Sequence, residues 1–311
     1  MIKILRLFRL PNLVIIAATL YAFRFMVVKP YYGMSGTEFQ MDSVSFGLMV
    51  AITMIIAVAG YLGNDYFDIG IDRINRPDRP SVNGKLGGRF LLTTALMLSM
   101  LLIAGIVVLS FRMGMVIPAL VLLLALGTVW WYAGILKKSF IWGNLAVSLM
   151  SSLTLGMAWF FEWLILNQKG TQLFETKSIT QVSIGISFFA FLLSFKREIV
   201  KDMEDMEGDR LFGCRSLPIV KGIRSAKIVT WYLSFILLAS LFYCQYWLLQ
   251  QNFMMVAAWL ILAVEVPIVI FMIQLRRAAT TREFHRLSTL LKWIMVGGIA
   301  SMAIIWLNFR F

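Results

Sequence analysis

The sequence predicts an all-α membrane protein in which nine transmembrane helices form one bundle around a central cavity. Of the 311 residues, 60% are hydrophobic and 14% are charged, whereas a soluble domain is about half apolar and about a quarter charged. The apolar residues gather into runs of roughly 16–25 residues, each long enough to cross a hydrocarbon core of about 30 Å as a helix. The runs are 11–29, 44–63, 90–110, 114–132, 141–165, 180–195, 228–247, 253–274 and 291–308.

The basic residues predict the orientation of these helices. With the N-terminus in the cytoplasm, 23 of the 29 Lys and Arg residues fall on inside segments. The positive-inside rule then predicts a multi-pass protein of the cytoplasmic (inner) membrane with its N-terminus inside and its C-terminus outside. This sorting also accounts for the net charge of +13 without nucleic acid as a partner. The first apolar run continues to Val28, so we expect a membrane anchor there rather than a cleaved signal.

Two acidic motifs follow the second and the sixth apolar runs. Both space three aspartates at intervals of three and four residues, which on a helix places them on one face within two turns. Ten of the 16 acidic residues lie in 65–78 and 198–209, a concentration that solvated helix ends do not require. The aspartates are Asp65, Asp68 and Asp72 in the first motif and Asp202, Asp205 and Asp209 in the second.

Carboxylates stacked in this way repel one another, so the motifs predict a bound cation. A hard divalent ion with oxygen ligands, Mg²⁺, fits best, and the six aspartates are its predicted ligands. Because Mg²⁺ usually combines a few carboxylates with substrate phosphates, we expect a phosphate-bearing substrate between the two motifs. The second motif also repeats the first at a constant offset of 137 residues. This repetition suggests a four-span unit used twice.

A basic loop follows each motif. The loops cover 73–85 and 210–222, contain proline and glycine, and are predicted to form a cytoplasmic cap between helices two and three and between helices six and seven. Their arginines can neutralise the charge that a diphosphate leaving group develops. The alternative is that they only mark the inside face of the membrane.

Polar residues elsewhere in the spans are weaker candidates. Tyr132 and Asn144 flank the exit from the fourth run, where Tyr132 can steady a cation and Asn144 can orient an acceptor, although interfacial anchoring explains Tyr132 equally well. We expect Glu162 to be solvated at the outer interface. Glu265 is an intramembrane carboxylate that one hydrogen bond from a neighbouring helix would satisfy. His285 has no partner spacing that suggests a ligand or a base.

The two motifs resemble those of a known family. Asn64-Asp-Tyr-Phe-Asp68-Ile-Gly-Ile-Asp72 is similar to the first motif of the UbiA superfamily of intramembrane prenyltransferases, and Asp205-Met-Glu-Gly-Asp209 is similar to its second. The resemblance covers the whole chain and implies a single UbiA-like prenyltransferase domain over 1–311. It implies that Mg²⁺ ions bind the diphosphate of an isoprenoid donor and that further basic residues contact it. The implied metal ligands are Asn64, Asp68, Asp72, Asp205 and Asp209, and the implied diphosphate contacts are Arg73, Lys137 and Lys201.

Two longer stretches resemble one branch of this family. Asp72-Arg-Ile-Asn-Arg76-Pro and Arg197-Glu-Ile-Val-Lys201-Asp are most similar to the branch that contains digeranylgeranylglyceryl phosphate synthase and the chlorophyll-synthase-like enzymes. Arg76 and Arg197 therefore join the predicted substrate-binding residues. The branch usually continues with Pro-x-Pro-Ser-Gly, where this chain has Pro80-Ser-Val-Asn-Gly84. The acceptor stays open for that reason.

The resemblance implies transfer of a polyprenyl group, such as geranylgeranyl, through an allylic carbocation. The favoured acceptor is a lipid similar to geranylgeranylglyceryl phosphate, and the alternative is an aromatic acceptor similar to 4-hydroxybenzoate. A cation or phosphate-solute transporter is the rival from another class, but its coupling site would lie near the middle of the bilayer rather than at one face. A non-catalytic lipid-binding scaffold is the third alternative, distinguished by ligand binding without turnover.

Overall fold

A computed structural model describes residues 7–77, 87–170 and 176–309, and the regular structure within these ranges is helical. Nine of the described helical segments are long and apolar enough to cross a membrane, which confirms the predicted all-α class. The helices are α1 (Leu10–Ala22), α2 (Lys29–Ser35), α3 (Ser43–Phe67), α4 (Ile69–Asn75), α5 (Gly88–Met113), α6 (Ile117–Gly134), α7 (Trp142–Gln168), α8 (Thr176–Glu204), α9 (Met206–Leu211), α10 (Leu217–Gln250), α11 (Met254–Leu260), α12 (Val266–Arg277) and α13 (Thr281–Asn308).

Two of the nine spans are composite. A π-helical segment, Phe23–Val28, joins α1 to α2, and a second one, Ile261–Glu265, joins α11 to α12. Proline follows each π-helical segment within two residues, and since proline cannot donate a backbone hydrogen bond, a change of helix type there costs less than it would elsewhere. The short helices α4 and α9 continue from the second and the sixth spans, and they carry parts of the acidic motifs.

Several helices extend beyond their apolar runs. The sixth run was predicted over 180–195, but α8 begins at Thr176 and ends at Glu204. The seventh was predicted over 228–247, but α10 covers Leu217–Gln250 and contains a non-helical residue, Gly222, with φ 82°. Hydropathy detects only the part of a helix that lipid would cover. The polar turns beyond it are where the second motif and its basic loop lie.

The packing divides the spans into two groups. α3 packs against α1, α5 and α6, while α8 packs against α7, α10 and α13. Each helix that leads into an acidic motif is therefore an inner member of its group. α4 and α9 also contact each other, which brings the two groups together at the end that carries Asp68 and Asp205, here called the motif end. The central cavity and the cap stay predictions. Residues 78–85 of the first basic loop lie outside the described residues.

The opposite end of the bundle is closed around a buried carboxylate. Glu162 is only 4% exposed, so the prediction of a solvated residue was wrong. Its carboxylate oxygens accept hydrogen bonds from the backbone N–H groups of Gln40 at 2.6 Å and Met41 at 3.0 Å, and from the Tyr32 hydroxyl at 3.2 Å. Glu162 thus satisfies backbone donors of the segment between α2 and α3, which have no helical partners of their own.

A second buried polar group lies within the membrane-spanning region. Gln245 Nε2 donates to Glu265 Oε1 across 2.5 Å, from α10 to the end of a π-helical segment. This is the interhelical hydrogen bond expected for Glu265. π-helical turns often occur where a helix places a particular side chain, and here the turn carries the acceptor of the bond.

Candidate active site

Both acidic motifs are bent at their middle aspartate. Asp68 separates α3 from α4 with φ −94° and ψ 1°, and Asp205 separates α8 from α9 with φ −92° and ψ 5°. These positions are equivalent in the sequence repeat, so the repeat has the same backbone conformation in both halves. The prediction of one continuous helical face was therefore too simple. Each motif turns at its centre, and its first aspartate binds different partners from its second.

In the first motif, the middle carboxylate is enclosed by donors. Asp68 is 3% exposed, and its Oδ2 accepts hydrogen bonds from Asn64 Nδ2 at 2.7 Å and from Lys137 Nζ. Asp65 instead binds Arg9, whose Nη2 lies 2.7 Å from Asp65 Oδ1. Asp72, also 3% exposed, lies one turn further along α4.

In the second motif, the partners come from other parts of the chain. Asp202 Oδ2 accepts a hydrogen bond from Asn144 Nδ2 at 2.7 Å. Asp205 accepts hydrogen bonds from Arg76, whose Nη2 lies 2.8 Å from Oδ1 and 2.6 Å from Oδ2. Asp209 is buried on α9. In both motifs, a basic side chain from a distant segment neutralises the middle aspartate.

Asn75 joins the two motifs directly. Its side-chain Nδ2 donates to the carbonyl oxygen of Asp205 at 2.9 Å, and its Oδ1 accepts from the N–H of Gly208 at 2.9 Å. Asn75 is the last residue of α4, and Gly208 lies within α9. One amide group therefore bonds to the backbone of the second motif through both its donor and its acceptor.

The remaining predicted residues lie around this core. Lys201 Nζ lies 3.4 Å from one carboxylate oxygen of Glu198, and Arg197 Nη1 lies 3.3 Å from the other. Tyr132, half-buried at the end of α6, has charged neighbours from both motifs, among them Asp68. Arg73 is exposed on α4. The structure thus brings the predicted residues to one end of the bundle, with Arg73 at its surface.

Sequence reasoning missed several partners in the site. Arg9 has a left-handed backbone, φ 51°, directly before α1, and no sequence pattern predicts that this residue reaches Asp65. Glu198 follows the sixth apolar run and was counted only among the acidic residues of 198–209, although a carboxylate one turn before the second motif was a usable signal. For His285 the sequence offered no partner spacing, and the structure places its Nδ1 2.9 Å from Glu204 Oε1.

The electrostatics of the second motif favour a bound cation. Burial raises the pKa of Asp209 to about 6, with Asp205 and Asp68 adding to the rise and Lys137 opposing it. Burial likewise raises the pKa of Asp205, although Arg76 opposes the shift. The basic side chains present therefore do not fully compensate these carboxylates, and additional positive charge would stabilise their ionised forms.

The ligand atoms available in the two motifs fit a magnesium ion. They are oxygen atoms, the ligands that Mg²⁺ prefers, and Asn64 Oδ1 is buried without a hydrogen-bond partner. Among the described residues, no three acidic, histidine or cysteine side chains are already arranged around one point as a complete metal site. An ion here would therefore take one or two carboxylates from a motif and complete its shell with water or substrate oxygens.

The fold and the site define a class: a helical membrane protein with two aspartate-rich motifs at one end of its bundle. Residues 30–305 match the UbiA prenyltransferase family, and the chain belongs to this family. A relative from Methanothermobacter thermautotrophicus, named digeranylgeranylglyceryl phosphate synthase, is 32% identical over 198 residues, which cover 63% of this chain. The match spans 63% of that relative's own length. A relative of the same name from Pyrococcus abyssi is 30% identical over 191 residues, or 59% of each chain.

Solved structures confirm the fold. The apo structure of a UbiA homolog from Aeropyrum pernix K1 superposes with a TM-score of 0.62 at 17% identity, covering 92% of this chain and 97% of the homolog. A UbiA homolog from Archaeoglobus fulgidus bound to DMAPP and Mg²⁺ superposes with a TM-score of 0.59 at 15% identity, covering 97% and 99%. These structures support the all-helical bundle predicted from the sequence.

Proposed function

We propose that this chain transfers a polyprenyl group from its diphosphate to a membrane-soluble acceptor, with Mg²⁺ as the cofactor. The observation that carries the proposal is the meeting of both aspartate motifs with Lys137 and Arg76 at one end of the bundle. A carboxylate cluster with adjacent basic groups suits a diphosphate held through metal ions. The DMAPP and Mg²⁺ bound to the Archaeoglobus fulgidus homolog agree with such a ligand.

The aspartates and Asn64 are the proposed metal ligands. Asp68, Asp72, Asp205 and Asp209 lie on or directly before the short helices α4 and α9. The unpaired Asn64 Oδ1 is oriented by the bond that its own Nδ2 makes to Asp68. Bound Mg²⁺ would supply charge that stabilises the diphosphate as it leaves. Asp65 and Asp202 are also proposed ligands, and each would have to exchange its present partner for the ion.

The basic residues would hold the departing diphosphate. In the proposed reaction, the bond from the allylic carbon to the diphosphate oxygen breaks and the electron pair leaves with that oxygen. The proposed contacts of the resulting anion are Lys137, Arg76, Lys201 and Arg73. Arg197 is a further proposed substrate-binding residue and shares the carboxylate of Glu198 with Lys201. The acceptor oxygen, or an aromatic carbon, then forms the new bond and loses its proton. The apolar spans exclude water, which would otherwise capture the carbocation.

Tyr132 and Asn144 have proposed roles toward the organic part of the substrates. Tyr132 lies near Asp68, and its ring can stabilise a nearby cation. Asn144 is held by Asp202, which fixes the direction of its amide group. We propose that it orients the acceptor, as its position beside the second motif suggests.

We propose geranylgeranyl diphosphate as the donor and a geranylgeranylglyceryl phosphate-like lipid as the acceptor. The support is the similarity to the relatives from Methanothermobacter thermautotrophicus and Pyrococcus abyssi, which are named digeranylgeranylglyceryl phosphate synthase. An aromatic acceptor resembling 4-hydroxybenzoate is the alternative. We further propose that 1–311 form a single domain in the inner membrane, with the N-terminus and the motif end facing the cytoplasm, because most basic residues flank that end.

A prenyl-transfer assay tests the proposal. Purified protein receives labelled geranylgeranyl diphosphate with Mg²⁺ or a chelator, and a panel of geranylgeranylglyceryl phosphate, 4-hydroxybenzoate and a naphthoate. We expect a product with the glyceryl phosphate that the chelator abolishes. If product forms only with 4-hydroxybenzoate or only with the naphthoate, the proposed acceptor is wrong, but the proposed reaction class stands.

Matched variants test the site. Asp68→Asn and Asp209→Asn remove a charge without changing shape and should lower kcat by about 100-fold or more, as expected for loss of a group that stabilises developing charge. Glu38→Gln makes the same chemical change at an exposed position on the opposite end and should leave kcat unchanged. Near-normal turnover in either aspartate variant would contradict the metal assignment.

A further inference from the structure

Asn75 and Gly208 have complementary shapes as well as hydrogen bonds. A Cβ atom added to Gly208 would lie 2.5 Å from Asn75 Oδ1 and 2.7 Å from both Cγ and Nδ2. Contacts this short do not occur between real side chains, so either the amide or the backbone would have to move. A side chain at 208 is therefore incompatible with the present position of the Asn75 amide. Gly208 is not among the glycines with positive φ, so backbone conformation does not explain it.

The two hydrogen bonds determine the position of α9 relative to α4. Asn75 donates to the carbonyl of Asp205 at the bend of the second motif and accepts from the N–H of Gly208, one residue before Asp209. The bonded backbone groups therefore flank the segment that connects two proposed metal ligands. Because both distances are 2.9 Å, the amide is engaged by donor and acceptor at once, which leaves little freedom to slide or rotate.

Arg76 extends the same contact to a side chain. It follows Asn75 directly and binds both carboxylate oxygens of Asp205, so consecutive residues after the first motif hold the backbone and the carboxylate of one aspartate. Asn75 itself has no charge to offer a diphosphate. Its contribution is geometric, since it sets the distance at which carboxylates from both motifs can share one ligand.

We propose that Asn75 and Gly208 form a brace that positions the second motif for binding of a metal-bound diphosphate. Asn75 is a positioning residue that acts through Asp205 and Asp209. The proposal rests on the proposed function for the identity of the ligand, but it concerns the binding step alone. It predicts that affinity for Mg²⁺ with pyrophosphate depends on the brace, whether or not any acceptor has been identified.

A double-variant cycle tests the brace. Asn75→Ala, Gly208→Ala and the double variant are purified in detergent, and the rise in melting temperature is titrated with pyrophosphate at fixed Mg²⁺. We expect each single variant to raise the half-saturating concentration of pyrophosphate by about tenfold, in line with the loss or distortion of the two part-buried hydrogen bonds of Asn75. The double variant should match Asn75→Ala, because the added methyl group no longer meets an amide.

Asn12 provides the control for Asn75. Asn12→Ala removes an asparagine near the same end whose Oδ1 accepts from Lys292 at 3.4 Å, and it should leave the pyrophosphate titration unchanged. If Asn75 and Gly208 only stabilised the fold, their variants would have lower melting temperatures without ligand and an unchanged half-saturating concentration of pyrophosphate. That result, or losses that multiply in the double variant, would overturn the brace. A wild type that binds pyrophosphate but prenylates no acceptor would overturn the proposed function instead.

Discussion

Lys196 is a lysine that the proposed reaction does not use. Its side chain is 0% exposed, its Nζ has no hydrogen-bond partner, and the ring centre of Phe271 lies 4.7 Å away. From the sequence it counted only as one of the basic residues that mark the inside. Whether a lysine ends in solvent or between helices depends on packing that a single sequence does not contain, so this burial could not be predicted.

An amine that is buried without a hydrogen-bond partner lowers the free energy of unfolding. Lys196→Met should therefore raise the free energy of unfolding. Removing an unsatisfied group of this kind contributes about 1–3 kcal/mol, and each kcal/mol corresponds to about 2–4 °C in the melting temperature of a large domain. We expect a higher melting temperature in detergent and unchanged prenyl transfer. The control is Lys221→Met, which replaces an exposed lysine. A loss of activity at normal stability would show that the amine of Lys196 takes part in function.

At the scale of elements, Glu162 links the segment between α2 and α3 to α7. Glu162→Ala would leave the backbone N–H groups of Gln40 and Met41 without acceptors, and each unpaired buried group costs about 1–3 kcal/mol. We expect the melting temperature to fall by about 5–10 °C. Glu162→Gln keeps one acceptor oxygen, so its melting temperature should fall less.

The matched control is Glu38→Ala, which removes an exposed carboxylate from the same segment. Protease sensitivity of 36–42 provides the second measurement, because a segment released from α7 becomes accessible. Equal melting temperatures for Glu162→Ala and Glu38→Ala would contradict the role of Glu162 in linking this segment to α7. Activity per folded molecule should persist in both variants, since the change lies at the end opposite the motifs.

The elements also show what a sequence can and cannot predict. Nine spans and the residues of both motifs followed from hydropathy and from aspartate spacing, because transfer free energy and helical periodicity are local properties. The bends at Asp68 and Asp205 did not follow, since the spacing fits a straight helix as well as a bent one. To predict the partners Arg9 and Asn75, contacts between residues far apart in the chain would have to be known, and a single sequence does not reveal them.

For the whole molecule, the predicted orientation can be measured by labelling. In a background with Cys214 and Cys244 replaced by serine, single cysteines are placed at two exposed positions, Gln168→Cys at the end opposite the motifs and Lys221→Cys near them. A membrane-impermeant maleimide should label Gln168→Cys in intact cells, because the positive-inside rule places that end outside. Lys221→Cys should react only after permeabilisation. The reverse pattern would overturn the proposed cytoplasmic site.

The contacts of Asn75 and Arg76 with the second motif have a consequence for the order of events during synthesis. Both residues leave the ribosome about 130 residues before their partners, Asp205 and Gly208. A nascent chain with five spans in the membrane therefore carries a first motif that is followed by Asn75 and Arg76 without their partners from the second motif. The site comes into existence in one late step, when α8 and α9 arrive. Until then, the growing chain lacks the second of the two motifs that the proposed diphosphate site needs.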